Sequence, residues 1–156
     1  SCLRSANEYV RKHKMKSAVF SISTGQTYWD YQKFYKVAEE SKSLNIIWVV
    51  SAGFNTKKIE PDFVPAMLTN SNVITVSSPG NFPKDDYVDV YVEGRNINSC
   101  SWKNNNNYIK LSGTSMSTPK VSGFLARMLE KYDGDVDKSL LNLYKNLDEN
   151  KMLVIN

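Results

Sequence analysis

Gly113-Thr114-Ser115-Met116-Ser117-Thr118-Pro119 is the stretch whose residue types and spacing could do chemistry. It lies between a polar loop and the most regular helical pattern of the chain, in which Val121, Phe124, Leu125, Met128, Leu129 and Tyr132 share one face. A serine at the start of a helix sits at the positive end of the helix dipole, among N–H groups that lack an intrahelical partner. Negative charge developing beside it is stabilised, as acyl transfer through its hydroxyl requires. Pro119 is expected in the first turn, where its missing N–H costs no hydrogen bond. Gly123, inside the helix, costs about 1 kcal/mol relative to Ala, and a close packing contact would explain it. Taken alone, a serine here is more often an N-cap than a nucleophile. The segment also departs from the G-x-S-x-G nucleophile elbow, because Ser117 stands at the second glycine position.

The elements around this segment read as alternating helices and strands. Ser5-Ala6-Asn7-Glu8 has the form of a capping box, with Ala6, Tyr9, Val10 and His13 then on one helical face. Ala18-Val19-Phe20-Ser21-Ile22 is a short β-prone run stopped at Ser23-Thr24-Gly25. Tyr31, Phe34, Tyr35 and Ala38 mark a second amphipathic helix. Ile46-Ile47-Trp48-Val49-Val50 is apolar without alternation, which suggests a strand covered on both faces, as in parallel sheets. Val73-Ile74-Thr75-Val76 gives another buried strand, Val88 to Val92 alternates, and Asn104 to Asn107 reads as an exposed turn. Val136, Leu140, Leu143, Tyr144 and Leu147 define a last helix before Leu153-Val154-Ile155. The order points to an α/β layer fold.

Composition narrows the function classes. A chain of 156 residues with 41% hydrophobic and 23% charged residues can bury one core. No apolar run approaches the ~18 residues that cross a bilayer. The net charge of +4 includes a basic N-terminal group (Arg4, Arg11, Lys12, Lys14, Lys16), read as a solvated helix face. No nucleic-acid-binding pattern accompanies it. Cys2 and Cys100 cannot build a metal site by themselves; they could pair with each other, pair with another chain or stay free. The chain opens Ser1-Cys2, with no initiator Met and no apolar signal segment, which fits a processed or excised chain.

Residues 113 to 123, Gly-Thr-Ser-Met-Ser-Thr-Pro-Lys-Val-Ser-Gly, closely resemble the serine motif of the subtilase family, G-T-S-M-A-x-P-x-V-x-G. Further matches follow in the family's order. Ser21 to Gly25 resembles the strand end whose backbone pairs with substrate, and Val49-Val50-Ser51-Ala52-Gly53 resembles the strand leading to the oxyanion asparagine. Val64-Pro65-Ala66, Asn72 to Val76 and Val88 to Gly94 resemble three later segments of the family. The resemblance runs from about Ser5 to Leu147. It implies a subtilisin-like three-layer α/β fold with a mainly parallel sheet, incomplete in this chain, residues 1–156 being the C-terminal part of a catalytic domain.

By the same resemblance Ser115 is the nucleophile of an Asp–His–Ser triad in a serine endopeptidase acting on peptides or proteins. The Asp and His motifs would precede this chain. His13, with no H-G-T-H pattern around it, reads as a core or surface histidine. Ser115 therefore has no base here, and Asp and His are expected from an absent N-terminal part or from a second chain, the two-chain protease being the simplest case; without a base the rate falls by several orders of magnitude. The oxyanion asparagine should follow Gly53 directly, but Phe54 intervenes, so either Asn55 still points inward or the donor is lost. The role is assigned to Asn55. Ser23, Thr24, Gly25, Ser51, Ala52 and Gly53 would bind the substrate backbone and line the primary specificity pocket. Their small size leaves the pocket floor open and favours a sizeable substrate side chain. Glu93 stands where the family usually has Pro and reads as a loop adjustment. The resemblance also implies secretion and, in many members, structural calcium, although no Asp cluster here has calcium-loop spacing. The competing reading is a pseudoprotease that keeps the fold for binding or regulation, supported by Phe54.

Overall fold

A computed structural model describes residues 2–27, 30–54, 57–104 and 106–154. Along the chain run α1 (Cys2–Lys12), β1 (Ala18–Ile22), α2 (Tyr31–Ser43), β2 (Ile46–Ser51), β3 (Val73–Ser77), β4 (Val90–Tyr91), β5 (Ile97–Cys100), β6 (Tyr108–Leu111), α3 (Thr114–Lys131) and α4 (Val136–Lys145). β1 to β4 form a parallel sheet in sequence order, and β5 and β6 form a separate antiparallel hairpin.

The unbroken apolar character of β2 has the cause that parallel sheets impose. All six of its residues are buried, and they alternate between two cores. Ile46, Trp48 and Val50 join Val10, Val37 and Ala38 from α1 and α2 on one face. Ile47 and Val49 join Val121, Leu125, Leu129 and Leu143 from α3 and α4 on the other. The result is helix, sheet, helix, in three layers. β1 pairs only with β2 among the described strands, and four of its five residues are half-buried.

Helix starts follow local chemistry. Asp30 caps α2 by accepting from the Lys33 N–H at 3.0 Å, and Asp135 caps α4 by accepting from the Lys138 N–H at 2.9 Å. The Ser5 capping box does not begin α1, which already starts at Cys2 and packs Leu3 against the core. Its inner face is also rotated from the expected one. Asn7 is fully buried because it accepts from the Ser41 hydroxyl at 2.7 Å and donates to the Val37 carbonyl at 3.4 Å on α2. Tyr9 and His13 are exposed and stack on each other at 3.9 Å. The alternating run Val88 to Val92 is strand only at Val90–Tyr91. There the C-terminal segment extends the sheet, the Tyr91 N–H donating to Lys151 at 2.8 Å and the Leu153 N–H to Tyr91 at 2.9 Å.

Candidate active site

Parallel strands deliver their following loops to one edge of a sheet, and that edge is where α/β proteins bind ligands. The loops after β1 and β2 meet there, together with the start of α3, which packs against β1, β2 and β3.

Glycines let α3 begin where it does. Gly113 has φ 154° and ψ 164°, a conformation nearly confined to glycine, and its N–H donates to the Gly94 carbonyl at 2.9 Å. Gly94 permits this approach, since a Cβ there would collide with the Ser117 hydroxyl and the Gly113 carbonyl. The Ser117 hydroxyl donates to Val92 at 2.7 Å, and the buried Thr114 hydroxyl donates to Gly53 at 2.9 Å. The helix start is thereby tied to the exits of both β4 and β2. Ser115, the second residue of α3, is half-buried on this anchored turn. Its N–H is one of those that a helix start leaves without an intrahelical acceptor.

Ser115 and Ser23 hold each other. The Ser115 hydroxyl donates to the Ser23 carbonyl at 3.1 Å, and the Ser23 hydroxyl donates to the Ser115 carbonyl at 3.1 Å. Pro119 explains why that second carbonyl is free. It is the sixth residue of α3, not a first-turn residue as expected, so its missing N–H leaves Ser115 without an i+4 donor. Gly123 also departs from expectation: a Cβ there would meet nothing within 4 Å, and the residue faces outward.

Of the other predicted residues, Gly53 is tied to the start of α3 through the Thr114 hydroxyl, and Gly25 and Gly53 both border the Phe63 ring. Ser51, Ala52 and Gly53 are buried at the end of β2, the Ala52 N–H donating to Val76 at 2.9 Å, while Ser23 and Thr24 are exposed. Gln26 and Val64 exchange backbone hydrogen bonds of 3.0 and 3.1 Å beside Gly25. Asn55 lies outside the described residues; Phe54 before it is 83% exposed. His13 precedes β1 and Ser23 follows it, so the length of that five-residue strand, about 16 Å, separates the histidine from this edge. His13 instead bonds the Tyr9 carbonyl through Nδ1 at 2.9 Å.

The space between the two strand ends is not open as the small residues suggested. Phe63, 6% exposed, puts its ring there. An added Cβ on Gly25 would lie 2.6 Å from Phe63 Cε1, and one on Gly53 would lie 3.2 Å from the same atom. Beside Gly53 a cavity of ≈ 20 Å³ remains, lined by Ala52, Gly53, Phe54, Glu60 and Phe63. Sequence reasoning missed Phe63, and its only signal was an aromatic just before Val64-Pro65-Ala66.

Charges near the site are secondary. Arg95 hydrogen-bonds Glu93 and holds its carboxyl below the usual range, while the Glu93 carbonyl accepts from Lys120 Nζ at 2.7 Å. Cys2 and Cys100 are exposed free thiols, not paired with each other. Among the described residues no three His, Cys, Asp or Glu side chains converge as a metal site, so the residues present do not fit a carboxylate-built calcium cage. No helix among the described residues is long and apolar enough to cross a membrane.

Comparisons with known proteins bear on the family and the fold. The model of the subtilase family matches residues 2–151. Subtilisin-like protease 2 of Trichophyton rubrum is 34% identical over 137 residues, covering 81% of this chain and 30% of that protein. A subtilisin-like protease of Coccidioides posadasii is 31% identical over 123 residues, covering 74% of this chain and 29% of that protein. The chain thus spans under a third of these relatives. A cold-adapted subtilisin-like serine proteinase superposes with a TM-score of 0.73 at 22% identity, covering 95% of this chain and 55% of that one. The prenylagaramide maturation protease PagA gives 0.73 at 21%, covering 98% and 64%. The chain belongs to the subtilase family of subtilisin-like serine proteases.

Proposed function

We propose that residues 1–156 are the C-terminal, serine-bearing part of the catalytic domain of a serine endopeptidase, with Ser115 as nucleophile. The observation that carries this reading is the seat of Ser115, on an anchored helix start with its hydroxyl at the end of β1. The Asp and His of the triad come from sequence outside these residues, in the same polypeptide or in a second chain. Family membership supports a secreted or extracytoplasmic setting.

In this reading Ser115 Oγ leaves the Ser23 carbonyl and attacks the scissile carbonyl carbon as the histidine takes its proton. The Ser115 N–H and the Asn55 amide hold the oxyanion, and a missing donor would cost ~10²–10³ in kcat. Collapse expels the amine, which receives the proton from the histidine, and water then hydrolyses the acyl-enzyme. Ser23-Thr24-Gly25 and Ser51-Ala52-Gly53 bind the substrate backbone between them.

The test is cleavage of casein. Protein that includes the sequence outside residues 1–156 should cleave it, and Ser115→Ala should lower the rate by about 10⁴-fold or more. The 156-residue chain by itself should be inert. Equal activity of the Ser115→Ala protein would overturn the assignment, and inertness of both folded proteins would favour the pseudoprotease reading.

A further inference from the structure

The small residues at the ends of β1 and β2 make room for a ring that belongs to the chain itself. Phe63 Cε1 and Cζ would lie 2.6 and 2.7 Å from a Cβ on Gly25, and 3.2 and 3.3 Å from one on Gly53. The edge of one ring therefore closes the gap between both walls. The backbone behind it is fixed. The Phe63 N–H donates to Glu60 at 3.1 Å, its carbonyl accepts from Met67 at 3.1 Å, and Val64 is bonded in both directions to Gln26. The ring also packs in the core cluster that contains Ala52 and Val64, so rotation out of the gap would expose it and leave a void. Among the described residues, the cavity that Phe63 lines beside Gly53 has ≈ 20 Å³, room for a group on the order of one water molecule.

We propose that Phe63 is a specificity-determining residue, plugging the pocket between the Gly25 and Gly53 walls so that the substrate side chain before the scissile bond must be small, as in Gly, Ala or Ser. This rests on the protease reading above and deepens it, replacing the expectation of an open pocket for a large side chain.

The experiment uses the full natural protein and tetrapeptide 4-nitroanilides that differ only in the residue before the scissile bond. The unaltered protein should prefer Ala over Phe there by at least about tenfold in kcat/KM, the scale on which apolar pockets discriminate. Phe63→Ala should shift that ratio toward Phe by at least about tenfold, and Phe63→Leu, which keeps more of the packing, should shift it less. A preference for Phe in the unaltered protein would overturn the proposal without any variant, as would an unchanged ratio in folded Phe63→Ala.

A second readout needs no chemistry. Folded Phe63→Ala should bind toluene, seen as an upward shift in Tm and as toluene line broadening in NMR, and the unaltered protein should not. Failure to bind would overturn the plug. Toluene binding by protein that hydrolyses no peptide would sustain the plug while overturning the protease reading, so the two failures are distinguishable.

Discussion

Ser23 and Ser115, 92 positions apart, each donate a side-chain hydrogen bond of 3.1 Å to the other's backbone carbonyl. The arrangement depends on Pro119, whose missing N–H vacates the Ser115 carbonyl inside α3. A proline four residues after the proposed nucleophile thus joins the helix start to the end of β1. The strand edge and the serine are one mechanical unit.

A double-mutant cycle measures that link. Ser23→Ala should destabilise the protein by about 1 kcal/mol, the usual net worth of one hydrogen bond. In a Pro119→Ala background the restored N–H satisfies the Ser115 carbonyl, and Ser23→Ala should then cost at least about 0.5 kcal/mol less. Urea unfolding of the four proteins checks this. Additivity within error would contradict the role given to Pro119.

Two glycines near the same helix should respond in opposite directions. Gly94→Ala forces a methyl against the Ser117 hydroxyl and the Gly113 carbonyl, and should destabilise by about 1–3 kcal/mol. Gly123→Ala meets nothing within 4 Å and should stabilise the 156-residue chain by about 0.5–1 kcal/mol. Thermal unfolding separates them. A loss at Gly123 in the longer protein alone would identify this outward face as the site of the close contact that the sequence suggested.

Asp89 should impose a pH dependence. Burial raises its pKa above the ordinary 3.8, against the opposing effects of the Thr75 N–H at 2.8 Å and of Lys151. A raised folded-state pKa means a contribution that is full below 3.8 and lost as pH rises through the folded-state value. Asp89→Asn keeps an oxygen for the Thr75 N–H and removes the charge. Relative to the unaltered protein it should therefore gain stability as pH climbs from 3.5 toward 7, a range set by the carboxylate reference value. Parallel stability–pH curves for the two proteins would contradict this.

What the sequence revealed depended on how far each feature reports its own surroundings. β2 was legible because burial on both faces writes itself as continuous apolar residues, and β1 through the β-propensity of a short run ended by Ser23-Thr24-Gly25; both fall where expected. The hairpin of β5 and β6 was not, because it is almost entirely exposed and its side chains carry no burial pattern. The start of α1 was misread because Ser5 and Glu8 satisfy a local pattern that packing of Leu3 overrides. At the site, the helix start that carries Ser115 was legible in the sequence and the seat of Phe63 was not. A ring that fills a gap between two other strand ends owes its position to tertiary packing, and the loop holding it has no periodicity to read.

The most direct test of the central claim is labelling of the natural full-length protein with a fluorophosphonate probe, followed by peptide mapping. Labelling on Ser115, abolished in Ser115→Ala and slowed by protonation of a base near neutral pH, is the predicted result. Absence of label from folded protein, or label on any other serine, would contradict it.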